Sequence, residues 1–158
     1  MNVFELKDPL VGLPMVTPLD ENENVDLDAT EFNLEKWKKT SIDIFVVGTA
    51  SGEELYISEN EKVELLETVS KSLVGNKISA AGIDNPSVKE TLRLAERYAR
   101  SGASLLRIRF PRTEEVIVNY FSEVLKHSPL PVLLMHQGQP SNFGVAPKPV
   151  ANPELLGN

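Results

Sequence analysis

The 158-residue chain contains no cysteine, which excludes disulfides, thiolate metal sites and a thiol nucleophile. Histidine is almost as scarce: His127 and His136 are the only two, a poor inventory for a metal centre. No apolar run approaches the ~18 residues that suggest a membrane span. No basic surplus offers a footprint for nucleic acid or an anionic membrane either, because 16 Lys and Arg stand against 23 Asp and Glu, a formal net charge of -7. The phosphate-cradling patterns G-x-G-x-x-G and G-x-x-x-x-G-K-[ST] are also missing. What remains is the composition of one ordinary globular domain, 41% hydrophobic and 25% charged, long enough to bury a single core. The expectation is a cytoplasmic protein with neither nucleic acid nor membrane as partner.

The most informative stretch is 42–53, Ile-Asp-Ile-Phe-Val-Val-Gly-Thr-Ala-Ser-Gly-Glu. A β-branched apolar strand runs into a turn of small residues that closes on a carboxylate. Backbone amides and hydroxyls at the carboxyl end of a buried parallel strand converge on the mouth of the sheet, where α/β enzymes hold their ligands. The same residues also serve as plain helix caps and turns, so the stretch alone does not separate a site from a connection.

Along the chain, strand and helix patterns alternate. Residues 11–16 read as a strand, and Asp26 as the cap of a helix with Leu27, Leu34 and Trp37 on one face. Residues 42–47 form a second strand, followed by the capping box Ser58 to Glu61 and a helix with Val63, Leu66, Val69 and Leu73 inward, stopped by Gly75. Residues 77–82 form a third, followed by Asn85 as cap, Pro86 at the first helical position and Val88, Leu92, Ala95 and Ala99 inward up to Gly102. A fourth strand over 103–110 leads to a helix capped by Thr113, and a fifth strand spans 131–135. The βα units thus run over about 11–40, 42–74, 77–101 and 103–127, with an irregular polar tail over 137–158. Such alternation implies a parallel sheet covered by helices. Two architectures satisfy it: an open doubly wound sheet, or the first half of a (β/α)8 barrel, whose usual length is ~250 residues.

Several segments, in order, resemble the dihydrodipicolinate synthase and N-acetylneuraminate lyase family of pyruvate-dependent class I aldolases. Gly12-Leu13-Pro14-Met15-Val16-Thr17-Pro18 with Val25-Asp26 is similar to the family's first strand. Thr49-Ala50-Ser51-Gly52-Glu53, then Ile57-Ser58 and Glu61, is similar to its Gly-Thr-Thr-Gly-Glu segment. Gly102-Ala103 with Pro111 matches the fourth-strand frame, and Leu130-Pro131-Val132-Leu133-Leu134 the fifth. The resemblance covers nearly the whole chain and implies an incomplete (β/α)8 TIM barrel of about four βα units plus a fifth strand.

The chemistry that the resemblance implies is carbon–carbon cleavage or formation on pyruvate or a related 2-oxo acid, through a Schiff base to a lysine on the sixth strand. That lysine is expected beyond Asn158, so the chain alone is expected to be inactive; Lys77 at a strand start and Lys148 in an irregular segment do not replace it. No metal or other cofactor is implied, and a homo-oligomer is expected. Ser51 matches the second threonine of the motif and, with the Gly52 amide, is the candidate grip on the substrate carboxylate. Ala50 stands where the family has the proton-relaying first threonine, while Met135 and Arg112 stand where it has tyrosines. The relay hydroxyls are therefore lacking, and a catalytic residue is unassigned; His136, at the end of the fifth strand, is a candidate acid or base.

Arg107 and Arg109 project from one face of the fourth strand, with Leu106, Ile108 and Phe110 on the other. Buried guanidinium groups demand carboxylates or a ligand. Arg109, nearer the mouth, or Arg112 is a candidate for an acidic substrate group; the alternative is a pairing of Arg109 with Glu53 or Asp84. Two other readings stay open for the chain: a non-catalytic binding or assembly module, and a self-contained open α/β binding domain.

Overall fold

The computed structural model describes residues 9–109 and 114–135. They form β1 (Gly12–Pro14), α1 (Leu27–Trp37), β2 (Ile44–Val47), α2 (Glu59–Ser72), β3 (Ile78–Ile83), α3 (Val88–Arg100), β4 (Leu105–Arg109), α4 (Glu114–His127) and β5 (Val132–Met135). A short 3-10 turn, Ala50–Gly52, sits between β2 and α2. The five strands form one sheet in the order β1-β2-β3-β4-β5, every pair parallel. An open doubly wound sheet would reverse its order at a switch point. Here each new strand is laid on the same side of the last, which overturns the open-sheet expectation and makes the unit a half barrel.

Local chemistry sets the elements. Asp26 accepts a hydrogen bond from the Ala29 amide and starts α1. In α2 the Ser58 hydroxyl accepts from the Glu61 amide while the Glu61 carboxylate accepts from the Ser58 amide, the capping box in full. One cap differs from the sequence reading: α3 starts after Ser87, whose hydroxyl accepts from the Glu90 amide at 3.4 Å. Asn85 closes a turn just before it by accepting from the Ser87 amide at 2.9 Å. The buried stripe of α3 also shifts, to Thr91, Ala95 and Tyr98. Thr91 is buried because its hydroxyl shares a hydrogen bond with the Tyr120 hydroxyl at 2.7 Å, and Tyr120 in turn donates to the Asn85 carbonyl.

Alternation along the strands then sorts residues to two faces. Phe45, Val47, Ala81, Ile83, Leu106 and Ile108 pack in one cluster with Leu34, Leu65, Leu66, Val69, Tyr98 and Phe121 of the helices. Among the described residues the opposite, inner face carries a small separate cluster of Val46, Ile78, Ala80 and Leu105. The central strands β3 and β4 are buried throughout, whereas β1 and β5 are partly exposed, Leu133 by 50%. Among the described residues no strand pairs beyond β1 or β5, and no helix is long and apolar enough to cross a membrane.

Candidate functional site

The carboxyl end of β2 is where the chain departs most from regular geometry. Gly48 turns the strand with φ of 68°, a left-handed conformation that a side chain disfavours. Thr49 follows in extended geometry, the 3-10 turn runs over Ala50–Gly52, and Glu53 closes it, again left-handed at φ 58°. That last reversal decides which acid turns inward: Glu53 is exposed, whereas Glu54 is buried.

Gly52 differs from its expected part as a carboxylate grip. Its amide donates to the Thr49 carbonyl at 2.8 Å, closing the 3-10 turn, and its carbonyl accepts from the Thr17 hydroxyl at 2.8 Å. A Cβ at this position would lie 2.6 Å from the Met15 carbonyl oxygen, so glycine is required by the close approach of the turn to the end of β1. Ser51, by contrast, is exposed and lines a concave space of about 410 Å³ on the inner face, together with Thr49, Ala50, Arg107 and Met135.

The two inward arginines of β4 meet different surroundings. Arg109 is buried, and its Nη2 donates to Glu54 Oε1 at 2.6 Å and to Asp84 at the end of β3. Of the two acids expected as its partners, Asp84 is one; Glu54 takes the place of Glu53. This guanidinium, put forward for an acidic substrate group, is held here by two carboxylates of the chain. Arg107 is equally buried, at 5% exposure, yet its Nη1 has no hydrogen-bond partner among the described residues. Burial pushes its pKa below the ordinary arginine value, with Arg109 adding to that and Glu54 and Asp84 opposing it. A buried donor left without a partner costs ~1–3 kcal/mol, more when charged. The Thr49 hydroxyl, on the same cavity wall, is likewise buried without a partner among the described residues.

On the helix side of the β2 end lies a smaller space of about 190 Å³, lined by Gly48, Glu54, Glu59, Lys62, Asp84 and Tyr98, among others. Sequence reasoning passed over Lys62, since a lysine on an amphipathic helix reads as surface. Desolvation nevertheless holds its pKa below the usual lysine value despite Glu54 and Glu59. Lys77 lies at the far end of the sheet, where its ammonium donates to the Thr40 and Ile42 carbonyls. Arg112, His136 and Lys148 lie outside the described residues, as do Phe110, Pro111, Thr113 and the tail 137–158. Among the described residues no group of three or more His, Cys, Asp and Glu is arranged to hold a metal ion.

Residues 10–152 match the sequence profile of the Dihydrodipicolinate synthetase family. The 4-hydroxy-tetrahydrodipicolinate synthase of Bacillus subtilis (strain 168) is 26% identical over 128 residues, 78% of this chain and 44% of that protein. The chain spans about half the length of the curated relatives it matches. In structure it is similar to dihydrodipicolinate synthase from Agrobacterium tumefaciens, with a TM-score of 0.77 and 23% identity over 92% of this chain and 50% of that one. N-acetylneuraminate lyase from Fusobacterium nucleatum is similar at a TM-score of 0.74 and 16% identity, over 94% and 52%. These structural likenesses are likenesses of fold.

Proposed function

The chain belongs to the dihydrodipicolinate synthetase family, and on that premise we propose that it supplies the amino-terminal half of a carbon–carbon lyase or synthase acting on pyruvate or a related 2-oxo acid. The observation that carries this reading is the cavity of about 410 Å³ at the carboxyl end of β2, walled by Thr49, Ala50 and Ser51 of the motif turn. In (β/α)8 enzymes ligands bind at that end of the strands. In this reading the Ser51 hydroxyl donates to the substrate carboxylate, while Gly52 shapes the turn. A lysine beyond Asn158 adds to the keto carbon with loss of water, and the resulting iminium accepts the electron pair of the breaking bond. Arg112 and His136, which follow β4 and β5 in the chain, are proposed for the same mouth, His136 as acid or base. The protein is proposed to work in the cytoplasm as a homo-oligomer, for which Leu55 and Tyr56, 86% and 80% exposed beside the turn, offer apolar surface.

A second reading is favoured by Ala50 and Met135. Both line the cavity at positions where the resemblance calls for hydroxyls, which suits a non-catalytic binding module. One experiment separates the two. A chain extended through the next strand, treated with pyruvate and borohydride, gains a single covalent adduct by mass spectrometry under the lyase reading; absence of an adduct sinks it. The 158-residue chain itself is expected to show no turnover.

A further inference from the structure

We propose that Arg107 is an anion-binding residue of the inner cavity, giving the site a preference for 2-oxo acids that carry a second carboxylate over monoacids of equal length. This inference rests on the 2-oxo acid reading above. Its basis is the contrast within β4. Arg107 and Arg109 share a strand, a face and near-complete burial, but Arg109 is answered by Glu54 and Asp84, whereas Arg107 Nη1 has no hydrogen-bond partner among the described residues. A guanidinium does not escape the penalty by losing its proton. Glu54 and Asp84 favour its charge without giving Nη1 a hydrogen bond among the described residues, so that donor stays open, and a carboxylate matches its planar fork of donors.

The place of Arg107 tells what kind of anion. It lines the 410 Å³ cavity, whose remaining walls are mostly apolar, from Gly12, Pro14, Val46, Ala50, Leu133, Leu134 and Met135. The other polar groups on that wall, the hydroxyls of Thr49 and Ser51, come from the β2 turn. β4 is two strands away in the sheet, roughly 10 Å at the backbone. A ligand with an anionic group at each end and a short apolar middle fits that spacing better than a three-carbon monoacid.

The test is a titration of 2-oxoglutarate and 2-oxopentanoate, equal in chain length and differing in one carboxylate, into the 158-residue chain, read by ligand-observed NMR. The diacid is expected to bind roughly tenfold more tightly, the scale of one charge-assisted hydrogen-bonded pair. Arg107→Met is expected to abolish the preference, and Arg107→Lys, which keeps the charge but not the fork, to reduce it. Equal affinity for the two acids in the parent chain overturns the proposal without need of any variant, as does a preference that survives Arg107→Met. Binding of neither acid overturns it as well. The lyase reading fails separately: a diacid preference in a chain that never forms a borohydride adduct supports Arg107 and removes the imine chemistry, and an adduct without the preference does the reverse.

Discussion

On the helix-covered face of the sheet every large side chain meets another: Phe45, Leu66, Val69, Leu106, Ile108 and Phe121 have no exposure at all, and the buried hydroxyls of Thr91 and Tyr120 bond each other. On the inner face, Val46, Ile78, Ala80 and Leu105 make a thin apolar floor, and above it the buried Thr49 Oγ1 and Arg107 Nη1 have no partner among the described residues. Among the described residues, one face is closed by its own side chains, and the other leaves polar groups without partners at the carboxyl ends of the strands. Packing among the described residues accounts for the first and not for the second, and a buried polar group without a partner calls for an explanation, of which a bound anion is the one proposed for Arg107.

The sharpest break of this comparison is between the two arginines. Arg109→Met strands the buried Glu54 and, in part, Asp84 without their cation, which is expected to cost ~3–5 kcal/mol in urea unfolding. Arg107→Met removes a desolvated charge that lacks a partner at Nη1, and its expected effect in the absence of ligand lies between neutral and ~1 kcal/mol of stabilisation. Equal losses for both would mean that Arg107 is a structural ion and that the two positions do not differ.

A smaller effect belongs to the outer surface. Glu59 is gripped by Arg93 at 2.7 Å and also meets Arg97, bridging α2 to α3. Hydrogen bonding from Arg93, foremost, and from Arg97 lowers its pKa to about 2, against burial. A depressed carboxylate stabilises the fold above the unfolded value, near 4.5, and loses that contribution as pH falls through about 2. The midpoint difference between parent and Glu59→Gln should therefore be constant from neutral pH to about 4.5 and shrink towards pH 2. With Glu59 a third exposed and Arg93 about half exposed, its size should stay below ~1 kcal/mol. A difference that does not change over that range would detach Glu59 from the acid limb.

The parallel half barrel was legible because its signals are local and mutually consistent. The box at Ser58 and Glu61, the Asp26 cap, and the apolar runs of β2, β4 and β5 read the same from spacing as from structure. Residues whose burial depends on a distant partner were not legible. Thr91 and Tyr98 were not among the inward positions taken from the spacing of α3, and the partners of the Thr91 hydroxyl, Tyr120 on α4 and the Asn85 carbonyl, account for the first. Asn85 gave up the α3 cap to Ser87 because a turn one step earlier used its side chain. At the site, the alternation of Arg107 and Arg109 was visible, but which of them would find carboxylates was not. That was decided by Glu53 turning left-handed and sending Glu54 inward, a backbone choice that the sequence Gly-Glu-Glu-Leu does not announce. Gly52 was read as a ligand contact, and the close approach to Met15, which by itself requires glycine there, was not visible in the sequence.

The central claim is that the inner face, not the polar hollow on the helix side, receives a 2-oxo acid. Its most direct test is amide shift mapping of the isotopically labelled 158-residue chain during a pyruvate titration. Shifts are predicted at Thr49, Ala50 and Ser51, at Arg107 and at Met135, the residues that line the inner cavity. Shifts gathered instead around Lys62, Asn85 and Leu94, on the helix side, or no shifts at saturating pyruvate, would contradict it.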